Sequence, residues 1–454
     1  MEIERTGNIF FDMGYYLFYH ILDKDLEDKE FSKDELKTIV DWLFKETEIW
    51  LKSSKKHFNI YLLNHPASDT KKDITIKKQN ILNKLTGYIK DIKPASENYC
   101  SICGRYEAIE KGLTRVELPL SGSLRGRNFF PGWSDGIKTC GLCALKSYAT
   151  IFGTINSSGK AILIDSFNPN IISLWIDQIA RNKEKLTKGK LLEEFGPITY
   201  KINNKLNLFY NLINEVVIGV KKNQIDVRKG FDLVFSYYTN FAGNPDLEIY
   251  NIDSSIIGFL FKLESSINEW NRFVYRFYTS SKVKYSPEKE KLVIEEKKEI
   301  CEAKEDQYLN NNNIIITKLI NNQFIDYKYF CKERKLLLDI KIIETYFSEV
   351  LEMNKDKIKY IKEFSELISE EIRKGTFKIS EIEKANKHYE FQKFIVRSCR
   401  KYVEKNGSSL LTLDDYVDNL MEEWQTVQNL LLISLYDKLA DILQKEDKEE
   451  SENE

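Results

Sequence analysis

The chain has 454 residues, of which 42% are hydrophobic and 30% charged, and its formal net charge is −2. This length allows two or three domains, and the composition is that of a folded protein rather than a disordered one. The nearly neutral charge excludes an indiscriminate nucleic-acid binder, and no apolar run approaches the roughly 20 residues of a membrane-spanning helix. The start, MEIERTGN, lacks the basic residues and apolar run of a secretory signal, so we expect a cytoplasmic protein.

The first 90 residues predict helices. The polar triplet Thr6, Gly7 and Asn8 precedes an apolar run over residues 11–22, which predicts a turn or short strand followed by a buried helix. Helical spacing returns at 34–52 and 74–89. Residues 94–136 are instead rich in glycine and proline, which indicates loops and short strands.

The rest of the chain predicts a mixed part and then a helical part. Residues 160–167 and 247–253 predict strands, and the pattern beyond about residue 260 is almost wholly helical. In the last hundred residues Ser380 and Thr412 are predicted helix caps, and one helix face is predicted to be apolar, formed by Leu420, Trp424, Val427, Leu431 and Leu435.

The predicted fold class is therefore α+β. We predict a mixed, largely helical N-terminal domain over 1–350 that includes a zinc-binding segment at 95–150. A C-terminal helical bundle over 351–445 and an acidic tail at 446–454 follow.

Four of the seven cysteines form two C-x2-C pairs, Cys100 with Cys103 and Cys140 with Cys143. Two such turns can present four thiolates in the tetrahedral arrangement that zinc favours, and four sulfur ligands leave no open position for catalysis. The sequence therefore predicts a structural zinc site, the alternative being free thiols. The spacer between the pairs is longer than the roughly 15–20 residues of a simple zinc ribbon, so it must form its own loop or hairpin. The remaining cysteines, Cys301, Cys331 and Cys399, are predicted to be buried or inert thiols in helices.

The spacer, LPLSGSLRGRNFFPGW, is the candidate nucleic-acid interface. Arg125, Arg127 and Asn128 can contact base edges or phosphates, and the aromatic residues that follow can stack on bases or wedge between them. Arg115 and Lys138 add to a locally basic patch between residues 111 and 146. The alternative is that the aromatic residues fill a small core around the metal and the arginines are only solvated.

A second basic group lies near the C-terminus. Lys393 and Arg397 are one helical turn apart, Arg400 and Lys401 follow, and together they can form a phosphate-binding stripe or an ordinary charged helix face. The four histidines are dispersed and no nuclease, phosphate-loop or hydrolase motif is found, so we expect a binding protein and not an enzyme. Two alternatives stay open: a metal-dependent nuclease with unrecognised carboxylate ligands, and a zinc-knuckle scaffold that contacts only proteins.

Three segments together resemble a known family. TGNIFFDMG near the start, YCSICG at 99–104 and PLSGSLRGRNFFPGWSDGIKTCGLC at 119–143 are similar to the CXXC-CXXC family of CRISPR-associated proteins, the large subunits of type I-B and related Cascade complexes. The specific match covers roughly the first 150 residues. The rest agrees mainly in length and helical character.

The resemblance implies a non-catalytic subunit of an RNA-guided surveillance complex. Such subunits lie near the 5′ end of the guide RNA, bind a short motif that flanks the target in double-stranded DNA, help to open that duplex, and recruit a helicase-nuclease. Partners would be the guide RNA, the target DNA and the Cascade backbone subunits, with Asn8 as a further DNA-binding candidate. Because type I-B systems often make a small subunit by internal translation, the resemblance also implies a product that starts at Met353 and covers residues 353–454.

Overall fold

The computed structural model describes residues 1–53, 57–62, 65–68, 72–120, 136–157, 159–188, 199–200, 202–226, 232–239, 246–278, 280, 282–296, 299–407 and 415–443. Contacts between Cα atoms divide the chain into two compact units, Met1–Ser254 and Ser255–Glu454. The predicted division at residue 350 stays a prediction. No described helix is both long enough and apolar enough to span a bilayer.

Unit 1 combines helices with a five-stranded sheet. Its helices are α1 (Ile9–Leu22), α2 (Lys33–Ser53), α3 (His57–Tyr61), α4 (Ile74–Lys90), α5 (Gly141–Thr150), α6 (Pro169–Lys188) and α7 (Lys205–Lys222). Its strands are β1 (Ile155–Ser157), β2 (Lys160–Asp165), β3 (Thr199–Tyr200), β4 (Leu233–Thr239) and β5 (Asp246–Ile252).

The sheet has the order β3-β1-β2-β4-β5 and carries helices on both faces. Only β1 and β3 pair in parallel, while the other described pairs are antiparallel. On one face Phe209 of α7 stacks on Phe235 of β4, with ring centroids 4.9 Å apart. On the other face Phe10 of α1 packs edge-on against Tyr238, at 5.2 Å. Residues 11–19 of α1 are all buried, so α1 is the buried helix that the sequence predicts.

Unit 2 is mainly helical. Its helices are α8 (Ser254–Lys262, which begins at the boundary), α9 (Ile267–Tyr275), α10 (Glu305–Tyr308), α11 (Ile314–Ile320), α12 (Tyr327–Phe330), α13 (Ile340–Glu349), α14 (Lys355–Arg373), α15 (Ile379–Glu383), α16 (His388–Asn406) and α17 (Trp424–Lys438). A π-helical segment, Asp415–Met421, precedes α17. Its strands are β6 (Val283–Ser286), β7 (Lys291–Glu296), β8 (Glu299–Glu302), β9 (Cys331–Lys332) and β10 (Lys335–Leu336).

The mixed α+β class is thus confirmed, but several finer predictions for unit 2 were wrong. Residues 283–302 form the antiparallel sheet β6-β7-β8, in which Val283 and Leu292 are buried and the adjacent Lys284 and Lys291 are exposed. Ser380 lies inside α15, whose N-cap is Lys378, and the predicted cap Thr412 lies outside the described residues. Residues 427–436 of α17 are buried on every side rather than on one face, because neighbouring elements surround this helix.

Candidate metal centre

The structure brings the four predicted cysteines together. The Sγ atoms of Cys100, Cys103, Cys140 and Cys143 all lie within 4.8 Å of one another, and Cys103 Sγ is 3.7 Å from Cys140 Sγ. A tetrahedral ion with metal–sulfur bonds of about 2.3 Å separates its sulfur atoms by about 3.8 Å. The cluster therefore has the size and donor set of a four-coordinate metal site.

The first cysteine turn is shaped by its own backbone. The N–H of Gly104 donates to Cys100 O at 2.9 Å, and Gly104 has a φ of +66°, a conformation that favours glycine. The N–H of Ile102 points at Cys100 Sγ at 3.4 Å, while Ser101 N–H donates to Lys138 O at 2.9 Å. That last bond joins the first turn to the chain just before the second.

The second cysteine turn is the start of α5. Cys140 is the N-cap residue, and its Sγ accepts from the N–H of Cys143 at 3.4 Å. A Cβ on Gly141 would lie 1.7 Å from Tyr88 O at the end of α4, so only glycine allows this approach. The positive end of the helix dipole also favours negative charge on these sulfurs. The G-L-C part of the motif thus serves helix packing as well as the placement of a candidate metal ligand.

Four thiolates cannot share this volume without a cation. Hydrogen bonds from the other three cysteines lower the pKa of the Cys100 thiol, whereas hydrogen bonds with Cys100 and Cys103 raise the pKa of Cys140. The pKa of Cys143 is raised by its hydrogen bonds with the other cysteines and by burial, and the charge of Lys146 opposes this only partly. Ionisation of Cys100 therefore keeps Cys140 and Cys143 protonated, and a bound divalent cation would let all four sulfurs ionise.

The N-terminal T-G-N motif forms a tight turn around a buried carboxylate. The N–H and Oγ1 of Thr6 donate to Asp12 Oδ1 at 2.6 and 2.8 Å, and the N–H of Gly7 donates to Oδ2 at 2.8 Å. Arg5 Nε lies 3.5 Å from the same carboxylate. Asn8 is the N-cap of α1, where its Oδ1 accepts from Phe10 N–H at 3.0 Å, and its side chain is exposed.

Basic residues bind this N-terminal segment to the cysteine turns. Arg105, two residues after Cys103, forms ion pairs with Glu2 (3.0 Å) and Glu4. Lys146, whose side chain is 1% exposed, donates from Nζ to Glu4 O at 2.9 Å. A cavity of about 230 Å³ remains between the segment and the turns, lined among others by Arg5, Cys103, Arg105, Cys143 and Lys146.

The chain on either side of the spacer forms an antiparallel pair. Leu113 and Ile137 exchange two backbone hydrogen bonds of 2.9 and 2.8 Å, which agrees with the predicted hairpin or loop. Glu117 anchors this base, since it accepts from Thr114 Oγ1 (2.7 Å) and pairs with Lys84 of α4 (2.7 Å). Burial raises the pKa of Glu117, but Lys84 and Thr114 outweigh it and the pKa is lowered overall.

The predicted DNA-binding residues of unit 1 are only partly described. Arg115 is half-buried near the spacer base, and Lys138 is exposed beside the cysteine turns. Arg125, Arg127 and Asn128 lie outside the described residues. Their roles stay predictions.

The candidates on α16 differ in their surroundings. Lys393 is exposed, Arg397 pairs with Glu381, and Arg400 pairs with Glu404 at 3.1 Å. The ammonium of Lys401 instead donates inward to Thr376 O at 3.0 Å. Cys301, predicted in a helix, is exposed on β8.

Sequence reasoning missed the residues that join the motifs. Asp12, Arg105 and Lys146 were not among the predicted site residues. Asp12 binds residues 6 and 7 to α1, whereas Arg105 and Lys146 connect Glu2 and Glu4 to the cysteine turns. In the sequence, two of them are marked only by their place next to a motif. Asp12 lies in the first helical turn after T-G-N, and Arg105 directly follows Cys103 and Gly104. No protein-family model, curated protein or solved structure matches this chain.

Proposed function

We propose that the chain is the non-catalytic large subunit of a CRISPR type I RNA-guided surveillance complex, and that its four cysteines hold a structural zinc ion. The observation that carries the proposal is the convergence of the resembling motifs. Thr6 of T-G-N lines one cavity of unit 1 together with Cys103 and Cys143, and Ser101 N–H donates to Lys138 O, next to the chain that follows the spacer. This arrangement supports a common task for segments that are about 100 residues apart in sequence.

The zinc supplies rigidity in this proposal and no reaction step. Four thiolates at this spacing suit a closed zinc site, whose binding free energy contributes to folding. The cysteine turns, Arg105 and Glu117 would then fix the paired residues Leu113 and Ile137, which flank the segment 121–135 in the chain. A rigid base reduces the conformational entropy lost when that segment binds.

The segment 121–135 is the proposed DNA contact. Arg125, Arg127 and Asn128 would recognise the flanking motif, and Phe129 and Phe130 would wedge into the duplex and help to open it. Since guide pairing reads the long target sequence, a few base-edge contacts suffice for the protein. The complex bound to the opened duplex would then recruit a helicase-nuclease.

The test is purification of the tagged chain from its host, with sequencing of bound RNA and mass spectrometry of bound proteins. The proposal expects repeat-derived guide RNA and backbone subunits. Recovery of the chain without RNA would refute it, and divalent-ion-dependent cleavage by the purified chain would favour the nuclease alternative.

Binding of target duplex by the intact complex tests the proposed contact. Replacement of Arg125 and Arg127 by alanine should weaken binding at least about tenfold and reduce the salt slope by roughly 1–2. A matched control replaces exposed Lys33 and Lys37 of α2 by alanine, and binding should stay unchanged. Equal binding by both variants would favour a scaffold that contacts only proteins.

A further inference from the structure

Helix α16 exposes large apolar side chains in a line. Tyr389, Val396 and Val403 are 58, 53 and 41% exposed, and they follow one another at intervals of seven residues. Seven residues are nearly two helical turns, so the three side chains share one face. Among the described residues of unit 2, Ile300 is the one other large apolar side chain with comparable exposure.

The opposite face of α16 already holds the helix in place. Phe394 packs edge-on against Phe377 (6.0 Å between ring centroids), and Phe391 lies against Trp424 (6.2 Å). A surface helix needs only one apolar stripe to pack on its own core. The exposed line, which we call the α16 stripe (Tyr389, Val396 and Val403), is therefore a second apolar face available to a partner.

The basic residues beside the stripe indicate that the partner carries acidic side chains. Lys393 and Arg400 are exposed and lie four residues after Tyr389 and Val396, so both flank the stripe on the same side. Arg400 pairs with Glu404, but their side chains are 80 and 62% exposed, and such a pair exchanges readily for another carboxylate. In helix–helix seams, charged residues at these flanking positions select partners of opposite sign.

Other occupants fit less well. Phosphates could pair with Lys393 and Arg400, but they would leave the apolar stripe in water. A second copy of α16, packed antiparallel about Val396, would bring Lys393 next to Arg400 of that copy. The chain's own acidic end, QKEDKEESENE, has no apolar side chain to cover the stripe.

We propose that the α16 stripe docks an acidic amphipathic helix of a partner protein. Its apolar residues repeat every seven positions against Tyr389, Val396 and Val403, and its Asp or Glu side chains pair with Lys393 and Arg400. This surface lies in unit 2 and needs neither the metal centre nor nucleic acid. The inference is thus independent of the function proposed above.

The test uses the full chain and a fluorescent synthetic helix of three heptads. The helix has leucine at positions a and d and glutamate at e and g, which also prevents self-pairing. Fluorescence anisotropy should show that Val396→Glu lowers the affinity for this helix at least tenfold. The control Ile300→Glu should keep the wild-type affinity. Equal melting temperatures would show that both variants fold.

Charge exchange provides the second arm. The double variant Lys393→Glu, Arg400→Glu should no longer bind the glutamate-flanked helix. Its affinity for a lysine-flanked version of the same helix should rise at least tenfold. Binding no tighter than that of a scrambled peptide would overturn the proposal. So would binding of duplex DNA that depends on Lys393 and Arg400 but not on Val396, or a dimer of the chain that Val396→Glu abolishes.

Discussion

Cys103 is the most accessible of the four clustered cysteines, since the other three are buried and it is not. Substitution there removes a candidate metal ligand with little loss of packing. Because loss of a group that merely supports a ligand costs roughly 10–100-fold in metal affinity, we expect Cys103→Ser to cost at least about 100-fold. The measurement is zinc content by mass spectrometry, together with thermal melting with and without a chelator.

Cys301→Ser is the matched control, because Cys301 is exposed on β8 and outside the cluster. It should keep one zinc per chain and the wild-type melting temperature. Full zinc occupancy in Cys103→Ser would contradict a four-sulfur site.

We expect His65 to make the stability of unit 1 sensitive to acid. It is buried, stacks on Phe58 with ring centroids 5.0 Å apart, and accepts from Ala67 N–H through Nδ1 at 3.2 Å. Burial lowers its pKa to about 3, with a smaller contribution from Lys84. In the unfolded chain the pKa of a histidine is about 6.5. Between these values the unfolded chain binds the additional proton, so stability is complete above about pH 6.5 and is lost as pH falls toward 3.

The slope should approach about 1.4 kcal/mol per pH unit below pH 6. His65→Gln keeps a neutral acceptor and should flatten this slope in melting experiments at pH 7, 6 and 5. The control His388→Gln removes an exposed imidazole and should keep the wild-type slope. An unchanged slope in His65→Gln would show that other groups cause the acid sensitivity.

At the scale of elements, the contact between α1 and α5 determines how the N-terminal motif meets the cysteine turns. A Cβ on Gly14 of α1 would lie 1.9 Å from Lys146 O of α5, and the N–H of Gly14 donates to Thr150 Oγ1 at 3.0 Å. Glycine inside a helix is normally unfavourable, so its presence here reflects this close approach.

Gly14→Ala should therefore lower the free energy of unfolding by about 1–3 kcal/mol through overpacking. Gly87→Ala in α4 is the matched control, because no atom lies within 4 Å of its added Cβ, and it should gain about 0.5–1 kcal/mol. Urea denaturation of both variants makes the comparison. If Gly14→Ala instead raised the free energy of unfolding, the close packing of α1 on α5 would not require glycine at this position.

At the scale of the whole molecule, the contacts of unit 2 bear on the predicted product 353–454. Met353 is buried, and its N–H donates to Phe347 O at 3.0 Å. Helix α17 also depends on residues before 353: Tyr327 N–H donates to Asn429 Oδ1 at 2.6 Å, and its ring lies 6.2 Å from that of Tyr436. A product that begins at Met353 would expose this side of α17.

We therefore expect residues 255–454 to melt cooperatively as a monomer. Residues 353–454 alone should bind a hydrophobic dye or self-associate. Circular dichroism, dye fluorescence and light scattering on the two fragments make the comparison. Cooperative, monomeric melting of 353–454 would instead support it as a self-sufficient small subunit.

The sequence by itself determined the features that depend on near neighbours. The two C-x2-C pairs identified the four clustered cysteines, because ligand type and spacing are local, and the apolar run over 11–22 identified the buried helix α1. The sheet β6-β7-β8 was missed, although its period-two pattern is local, because charged residues interrupt its short strands.

Only the tertiary structure decided how the motifs meet. Arg105 binds Glu2 and Glu4 across about 100 residues, and Lys146 reaches Glu4 O from α5. Such contacts depend on where α1, α4 and α5 pack, and packing of this kind leaves no periodic pattern along the chain. Likewise, only the fold showed that Tyr389, Val396 and Val403 of α16 face away from the core, because either face of that helix could have been the buried one.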